Sequence, residues 1–337
     1  MQRVCVVMPT YNERDNLEPT LSEIFLRNPN IDVLIVDDNS PDGTGTLADV
    51  ISRVTLLSQD LSVEANGNAD IYDVSFAADD SDSSLYSDQH VSTADLKIAD
   101  RLNDCSIDSH VYTLHRERKL GLGTAYIQGF EWALAHHYDI VCEMDMDGSH
   151  RAQDLRALID MLEANPRFDL VLGSRRVPGG TTRDWPWYRD MISRAGSQYA
   201  RFMLGLKVRD MTSGFRAYRA SILRKVDLEG IDANGYVFQI DMTRRVIAAG
   251  GAVAEIPIVF PDRTRGDSKM DRAIVREAMQ KVTQWGFARM RNDVTRNNRR
   301  VENRVAEELA LPEQLIREDA GIAAQDPEKS EEYVDRD

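Results

Sequence analysis

Short β-branched runs, each closing on a polar loop and leading into apolar residues three or four apart, constrain this chain more than any other feature. Val4-Cys5-Val6-Val7-Met8 stops at Pro9-Thr10-Tyr11-Asn12-Glu13, after which Leu17, Leu21, Ile24 and Phe25 recur at helical spacing. Val33-Leu34-Ile35-Val36 runs into Asp37-Asp38-Asn39-Ser40-Pro41-Asp42-Gly43-Thr44, a loop dense in turn formers and carboxylates, and a helix starts near Thr44. The rhythm returns at Val111 to Leu114, Ile140 to Met144, Leu170 to Leu172 and Val253 to Phe260. Repeated β-α units imply an α/β fold with an open, mostly parallel sheet that binds its ligand at the carboxyl edge. Tyr11, Glu13 and Asp38 then face one crevice.

The same edge receives Cys142-Glu143-Met144-Asp145-Met146-Asp147-Gly148-Ser149-His150, ahead of a helix from Arg151. Two aspartates one residue apart at a strand end can share a divalent cation, and a hard metal with oxygen ligands suits a diphosphate. Taken alone, the pair is more simply a solvated acidic turn. Gly121-x-Gly123, opening a helix through His137, is equally weak alone, because such glycines often only permit close strand-helix packing.

Composition sets the outer bounds. The 337 residues, 42% hydrophobic, suffice for one large domain or two. A net charge of -15 argues against general nucleic-acid binding. Much of that charge falls in residues 58–108, where Ser, Asp, Asn and Gly dominate, and this stretch reads as a disordered, acidic low-complexity insertion. Residues 301–337 read as a poorly ordered acidic tail. Cys5, Cys105 and Cys142 show no metal spacing and read as free thiols in a reducing cytoplasm. No apolar stretch approaches the length of a membrane span, so contact with a bilayer would be peripheral.

The second half adds cations beside aromatics. Arg183-Asp184-Trp185-Pro186-Trp187-Tyr188-Arg189 precedes a helix containing Ser193, a composition that suits either an anionic head on a greasy body or a packing loop. Residues 263–300 carry Arg263-Thr264-Arg265-Gly266-Asp267-Ser268-Lys269, a loop able to close over phosphates. A basic amphipathic helix follows, in which Ile274, Ala278, Val282, Trp285 and Ala288 recur at helical spacing. That helix fits docking on the body or lying on an anionic membrane.

Met8 to Glu13, Val36 to Thr44, Gly121-Leu122-Gly123-Thr124-Ala125-Tyr126, Met144 to Asp147, Gly173-Ser174-Arg175, Thr212-Ser213-Gly214-Phe215-Arg216 and Arg263-x5-Lys269 follow in an order that resembles the family-2 inverting glycosyltransferases, and among them the polyprenyl-phosphate mannose synthases of dolichol-phosphate type. The resemblance implies a glycosyltransferase A type nucleotide-sugar-binding fold over residues 1–262 and transfer of mannose from GDP-mannose to a polyprenyl phosphate. By it, Pro9, Tyr11, Glu13, Val36, Asp38, Asp145, Met146, Asp147, Arg263 and Lys269 bind the donor. Asp145 and Asp147, with Ser149 where some relatives carry glutamine, hold Mg²⁺ or Mn²⁺. Arg175, Arg189 and Ser193 bind the acceptor's phosphate, and Asp145, Asp147 and Arg175 are the catalytic set. It also implies a cytoplasmic, peripheral location at the membrane face and admits a membrane-embedded acyltransferase or transferase as partner.

Three rivals remain at this stage. One is a same-fold enzyme using UDP-glucose or UDP-GlcNAc. Another passes sugar to a hydroxyl, which requires a carboxylate base, and Asp241 is the late acid placed for it, although capping or ion pairing on its helix explains that residue more simply. A third is a catalytically silent nucleotide-sugar-binding subunit.

Overall fold

The structure, a computed structural model, describes residues 2–64, 92–106, 108–231, 236–262 and 276–291. In chain order the elements are β1 (Val4–Thr10), α1 (Arg14–Arg27), β2 (Ile31–Asp37), α2 (Thr44–Glu64), α3 (Thr93–Cys105), β3 (Val111–His115), α4 (Leu122–Ala135), β4 (Ile140–Glu143), α5 (Ala152–Ala164) and β5 (Leu170–Ser174). They continue with β6 (Thr181–Arg183), α6 (Trp187–Leu204), β7 (Arg216–Arg219), α7 (Ala220–Leu223), α8 (Tyr236–Ala248), β8 (Val253–Pro257) and β9 (Val259–Pro261). A last helix, α9, covers 276–291. The chain divides into two compact units, Met1–Thr283 and Gln284–Asp337.

Seven strands form the main sheet in the order β3-β2-β1-β4-β7-β5-β8. Only β7 runs antiparallel, to both β4 and β5. Side chains of β1 and β2 are buried almost throughout, as expected of central parallel strands covered on both faces. Leu17, Leu21, Ile24 and Phe25 of α1 are all buried, as are Leu155, Leu158, Ile159 and Leu162 of α5, so the helical periodicity marks the faces that meet the sheet.

The chain steps from β1 to β2 and β3 on one side, then returns to place β4 on the other side of β1. Such a reversal opens a crevice beyond the carboxyl ends of the strands. Thr10 and Asp37 lie in register at that edge, and Val7 pairs with Glu143, so the loop after β4 leaves beside Met8 and Pro9. A close approach brings α4 down onto the sheet. A Cβ on Gly129 would lie 2.2 Å from Val7 Cγ1, which only glycine avoids.

Two sequence expectations are corrected. The stretch 58–108 is helical at both ends: α2 continues to Glu64, and α3 forms a capped, packed helix from Thr93. The Ser92 side chain accepts from the Asp95 N–H at 3.1 Å, Asp95 pairs with Arg14 of α1, and Ala99 and Leu102 are buried. Its abundant Asp and Asn hid an amphipathic face of few apolar residues; 65–91 lie outside the described residues. The single strand expected from Val253 to Phe260 is two. Pro257 cannot donate a ladder hydrogen bond, and beyond it β9 leaves the main sheet to pair with β6.

Candidate active site

Two clusters lie at the carboxyl edge of the sheet. The first is built by the loops after β1, β2 and β4. Asp37, the last residue of β2, is consumed by structure: Thr10 Oγ1 donates to Oδ1 at 3.0 Å, and the Ser40 hydroxyl and N–H donate at 2.6 and 2.9 Å. These bonds hold a turn in which Asn39 takes a left-handed φ of 57°, a conformation asparagine tolerates. Asp38 is thereby turned toward the crevice. It pairs with the buried guanidinium of Arg116, which also donates to Thr124 Oγ1 at 2.6 Å. Burial raises the Asp38 pKa despite the opposing charge of Arg116.

Tyr11 lies beneath Lys119, whose Nζ sits 3.8 Å from the ring centroid. The Glu13 backbone N–H donates to Thr44 Oγ1 at 3.0 Å, and its carboxylate accepts from Asn16 at 2.6 Å. Pro9 is half-buried near the end of β1, and Val36 is fully buried within β2, between β1 and β3. Arg116 and Lys119 were missed as site residues. The signal was present in the basic loop His115-Arg116-Glu117-Arg118-Lys119, but nothing local to it points at Asp38.

After β4, buried Met144 and Met146 alternate with Asp145 and Asp147. Anchoring the methionines in the core fixes the loop, on which Asp145 is half-buried and Asp147 buried. Tyr126 of α4 donates to Asp145 Oδ1 at 2.9 Å. The Asp145 N–H donates to His150 Nδ1 at 2.9 Å, and the His150 ring stacks on Phe215. Ser149 donates to Asp147 Oδ1 through its hydroxyl at 2.6 Å and its N–H at 3.0 Å, across Gly148, whose φ is 79°. Met146 has its side chain in the core, which leaves its backbone for a donor. The donor set here is two carboxylates, each oriented by an O–H group, on one strand-end loop. These hard oxygen ligands fit a divalent cation, although no cluster of three or more His, Cys, Asp or Glu suited to a metal occurs among the described residues.

The second cluster joins β5, α6 and the segment before β7. Arg175 forms a buried, bidentate pair with Asp210, at 2.8 and 2.7 Å, and donates to Thr212 Oγ1 at 3.0 Å. Burial pushes the Asp210 carboxyl up, but the adjacent guanidinium prevails and holds it below its ordinary value. Arg176 binds Asp190 at 2.5 Å and the Ser193 hydroxyl at 2.9 Å. Arg189 pairs with Asp262 at 2.7 Å and lies 4.0 Å over the Trp185 ring. Among the described residues, buried N–H groups on Arg176, Arg189 and Trp185 have no hydrogen-bond acceptor, which marks a region able to take an anion. Beside them Arg175, Ser193 and Thr212 share the wall of an open pocket with Ile192, Ile240 and Val282.

The structure therefore brings Arg175, Ser193 and Trp185 to one pocket and holds Asp145 and Asp147 on one loop. Arg263 and Lys269 lie outside the described residues. Asp241 is ion-paired to Arg244 and Arg245 on its own helix, the structural role that explained it more simply. Arg176 and Asp210 were missed because their partners lie 14 to 35 residues away.

A strand-end aspartate pair at the switch point of this sheet fits a ligand site, and the sequence identifies the class: the family model "Glycosyl transferase family 2" matches residues 5–64 and 88–227. The chain belongs to that family and is a glycosyltransferase. It is 40% identical over 286 residues to the polyprenol monophosphomannose synthase of Mycolicibacterium smegmatis, covering 85% of this chain and 88% of that protein. It is 43% identical to the undecaprenyl-phosphate mannosyltransferase of Micrococcus luteus, covering 85% and 95%. Among solved structures, glucosyl-3-phosphoglycerate synthase from Mycobacterium tuberculosis, in complex with Mn²⁺, uridine-diphosphate and phosphoglyceric acid, superposes with a TM-score of 0.52. The match is 16% identical and covers 85% of this chain and 78% of that one, a likeness of fold.

Proposed function

We propose that this enzyme transfers mannose from GDP-mannose to a polyprenyl phosphate, with inversion, at the surface of a membrane. Both curated relatives above are named for mannosyl transfer to a polyprenyl phosphate or for its product. The observation that carries the reading here is the second cluster, where arginine N–H donors adjoin an apolar pocket. An acceptor with an anionic head and a hydrocarbon body matches both halves of that surface.

In this reading the crevice lined by Pro9, Tyr11, Glu13, Val36 and Asp38 receives the nucleoside, and Asp145, Met146 and Asp147, with Arg263 and Lys269, face its diphosphate. Asp145 and Asp147, with Ser149 orienting the latter, would hold Mg²⁺ or Mn²⁺, which when bound offsets the charge of the departing diphosphate. Arg175, Arg189 and Ser193 bind the acceptor phosphate and counter its repulsion from the donor. A phosphate oxygen is already anionic near neutral pH, so it attacks the sugar C1 without a general base. That requirement agrees with an Asp241 committed to its own arginines. Attack opposite the leaving group turns an α-linked donor into a β-linked mannosyl phosphate.

A peripheral membrane position is supported by α6, where Trp187, Tyr188, Met191 and Ile192 are exposed together near Arg183 and Arg194. Aromatic and apolar groups beside cations suit an anionic interface. No helix among the described residues is long and apolar enough to cross a membrane. The test is incubation with radiolabelled GDP-mannose or UDP-sugars, polyprenyl phosphate and Mg²⁺ or Mn²⁺, followed by organic extraction. Label from GDP-mannose should enter the lipid phase. Transfer from a UDP-sugar in its place, or from none, overturns the assignment.

A further inference from the structure

We infer that Tyr126 is a positioning residue: its hydroxyl fixes the carboxylate of Asp145 in the orientation needed to bind a divalent cation with the donor diphosphate. The inference rests on the function proposed above and gives a role to a residue that lies in the Gly121 to Tyr126 motif but has none among the donor, acceptor, metal or catalytic residues named there.

Tyr126 of α4 is fully buried, and its hydroxyl donates to Asp145 Oδ1 at 2.9 Å. The phenol has one O–H to give, and its bond to Asp145 is the one the geometry shows. Three features hold the ring. Gly129, one turn further along α4, lets the helix approach Val7 of β1 closely. Phe238 of α8 stacks on the ring, with centroids 5.9 Å apart and planes 7° from parallel. Gln239, the next residue, donates to Glu143 Oε2 at 2.7 Å and ties α8 to the strand from which the Asp145 loop departs. Ring and loop are thus referred to the same strand, and the hydroxyl can hold only a narrow set of Asp145 rotamers. A carboxylate restrained in this way binds a cation without first losing side-chain freedom, and outer groups of this kind set metal affinity.

Replacing Tyr126 by Phe preserves the ring and its stacking and removes one donor. The measurement is calorimetric binding of GDP to the full chain in the presence and absence of Mn²⁺, with thermal melting as a control on the fold. Tyr126→Phe should weaken the Mn²⁺-dependent part of GDP binding about 10- to 100-fold, leave metal-free GDP binding unchanged, and melt within a few degrees of the parent. In an Asp145→Ala background the same change should have no further effect on Mn²⁺-dependent binding. Unchanged Mn²⁺-dependent affinity in Tyr126→Phe, or an equal loss with and without Asp145, overturns the inference while leaving the functional reading intact. A parent protein whose GDP binding ignores Mn²⁺ overturns the metal-assisted reading itself, and the role of Tyr126 with it.

Discussion

The two clusters at the sheet edge solve the problem of placing charge in opposite ways. In the proposed donor half, short-range contacts shape the carboxylate loops: Asp37 is tied to Ser40, and Asp147 accepts from Ser149 two residues on. In the acceptor half, cations are fixed by carboxylates distant in sequence, Arg175 by Asp210 and Arg189 by Asp262. A local loop can present an anion because its own N–H and O–H groups balance it. A long guanidinium needs a planar, bidentate partner, which tertiary structure must bring. The proposed donor half therefore rests largely on local turns, supplemented by Arg116 on Asp38 and Tyr126 on Asp145, whereas the proposed acceptor half is an assembly, so their responses to mutation should differ in kind.

The largest expected effect lies in the donor half. Asp147→Asn keeps the side chain's size and its acceptor oxygen for Ser149 while removing the charge that would balance a cation. Turnover should fall by two orders of magnitude or more, on the order of 3 kcal/mol of transition-state stabilisation, with the melting temperature nearly unchanged. Steady-state transfer and a thermal melt on the same preparation check both parts. Near-normal turnover would place the cation elsewhere and erase the contrast.

The same division explains what could be read from the sequence. The carboxyl-edge loops, the buried strands and the helical faces of α1 and α5 were legible, because strand runs and their following turns are contiguous. Legibility failed where a contact spans the fold. Arg116 reaches Asp38 over 78 residues, and Asp210 reaches Arg175 over 35. Thr212 to Arg216 reads as a tight turn into a strand, but periodicity does not report that this strand, β7, runs antiparallel between β4 and β5. Helix α3 was hidden by its polar surface, since its apolar contact comes down to buried Ala99 and Leu102 with half-buried Ile98 and Cys105.

In the assembly the expected effect is smaller and selective. Arg189 stacks on Trp185 and pairs with Asp262. Arg189→Ala should lower kcat/KM for polyprenyl phosphate about 10- to 100-fold, the value of one charge-assisted hydrogen bond of roughly 1.5 to 3 kcal/mol. The KM for GDP-mannose should stay within about threefold. Varying each substrate in turn separates the two. A change confined to the donor would exchange the roles of the two clusters.

The smallest effect concerns stability, at the wall between the clusters. Glu143 is buried at the end of β4, where it accepts from Tyr218 and Gln239 at 2.7 Å each. Burial raises its pKa from 4.5 to about 7, against the opposing charge of buried Arg216. The native state therefore holds a proton through a range in which the unfolded chain has released it. Stability falls as pH rises from about 4.5 to about 7 and is flat with respect to this group above that. At about 1.4 kcal/mol per unit the span is at most on the order of 3 kcal/mol. Glu143→Gln should remove this dependence, so that denaturant midpoints at pH 5 and pH 8 differ less than in the parent. The substitution has a built-in partner: Gln239 Oε1 is buried without a donor, and reversal of the Gln239 amide would let it accept from the new amide while Tyr218 keeps its acceptor. A variant that retains the parent's full pH slope would show that Glu143 is ionised throughout, held by Arg216, and that the charge balance of this wall is set from the acceptor side.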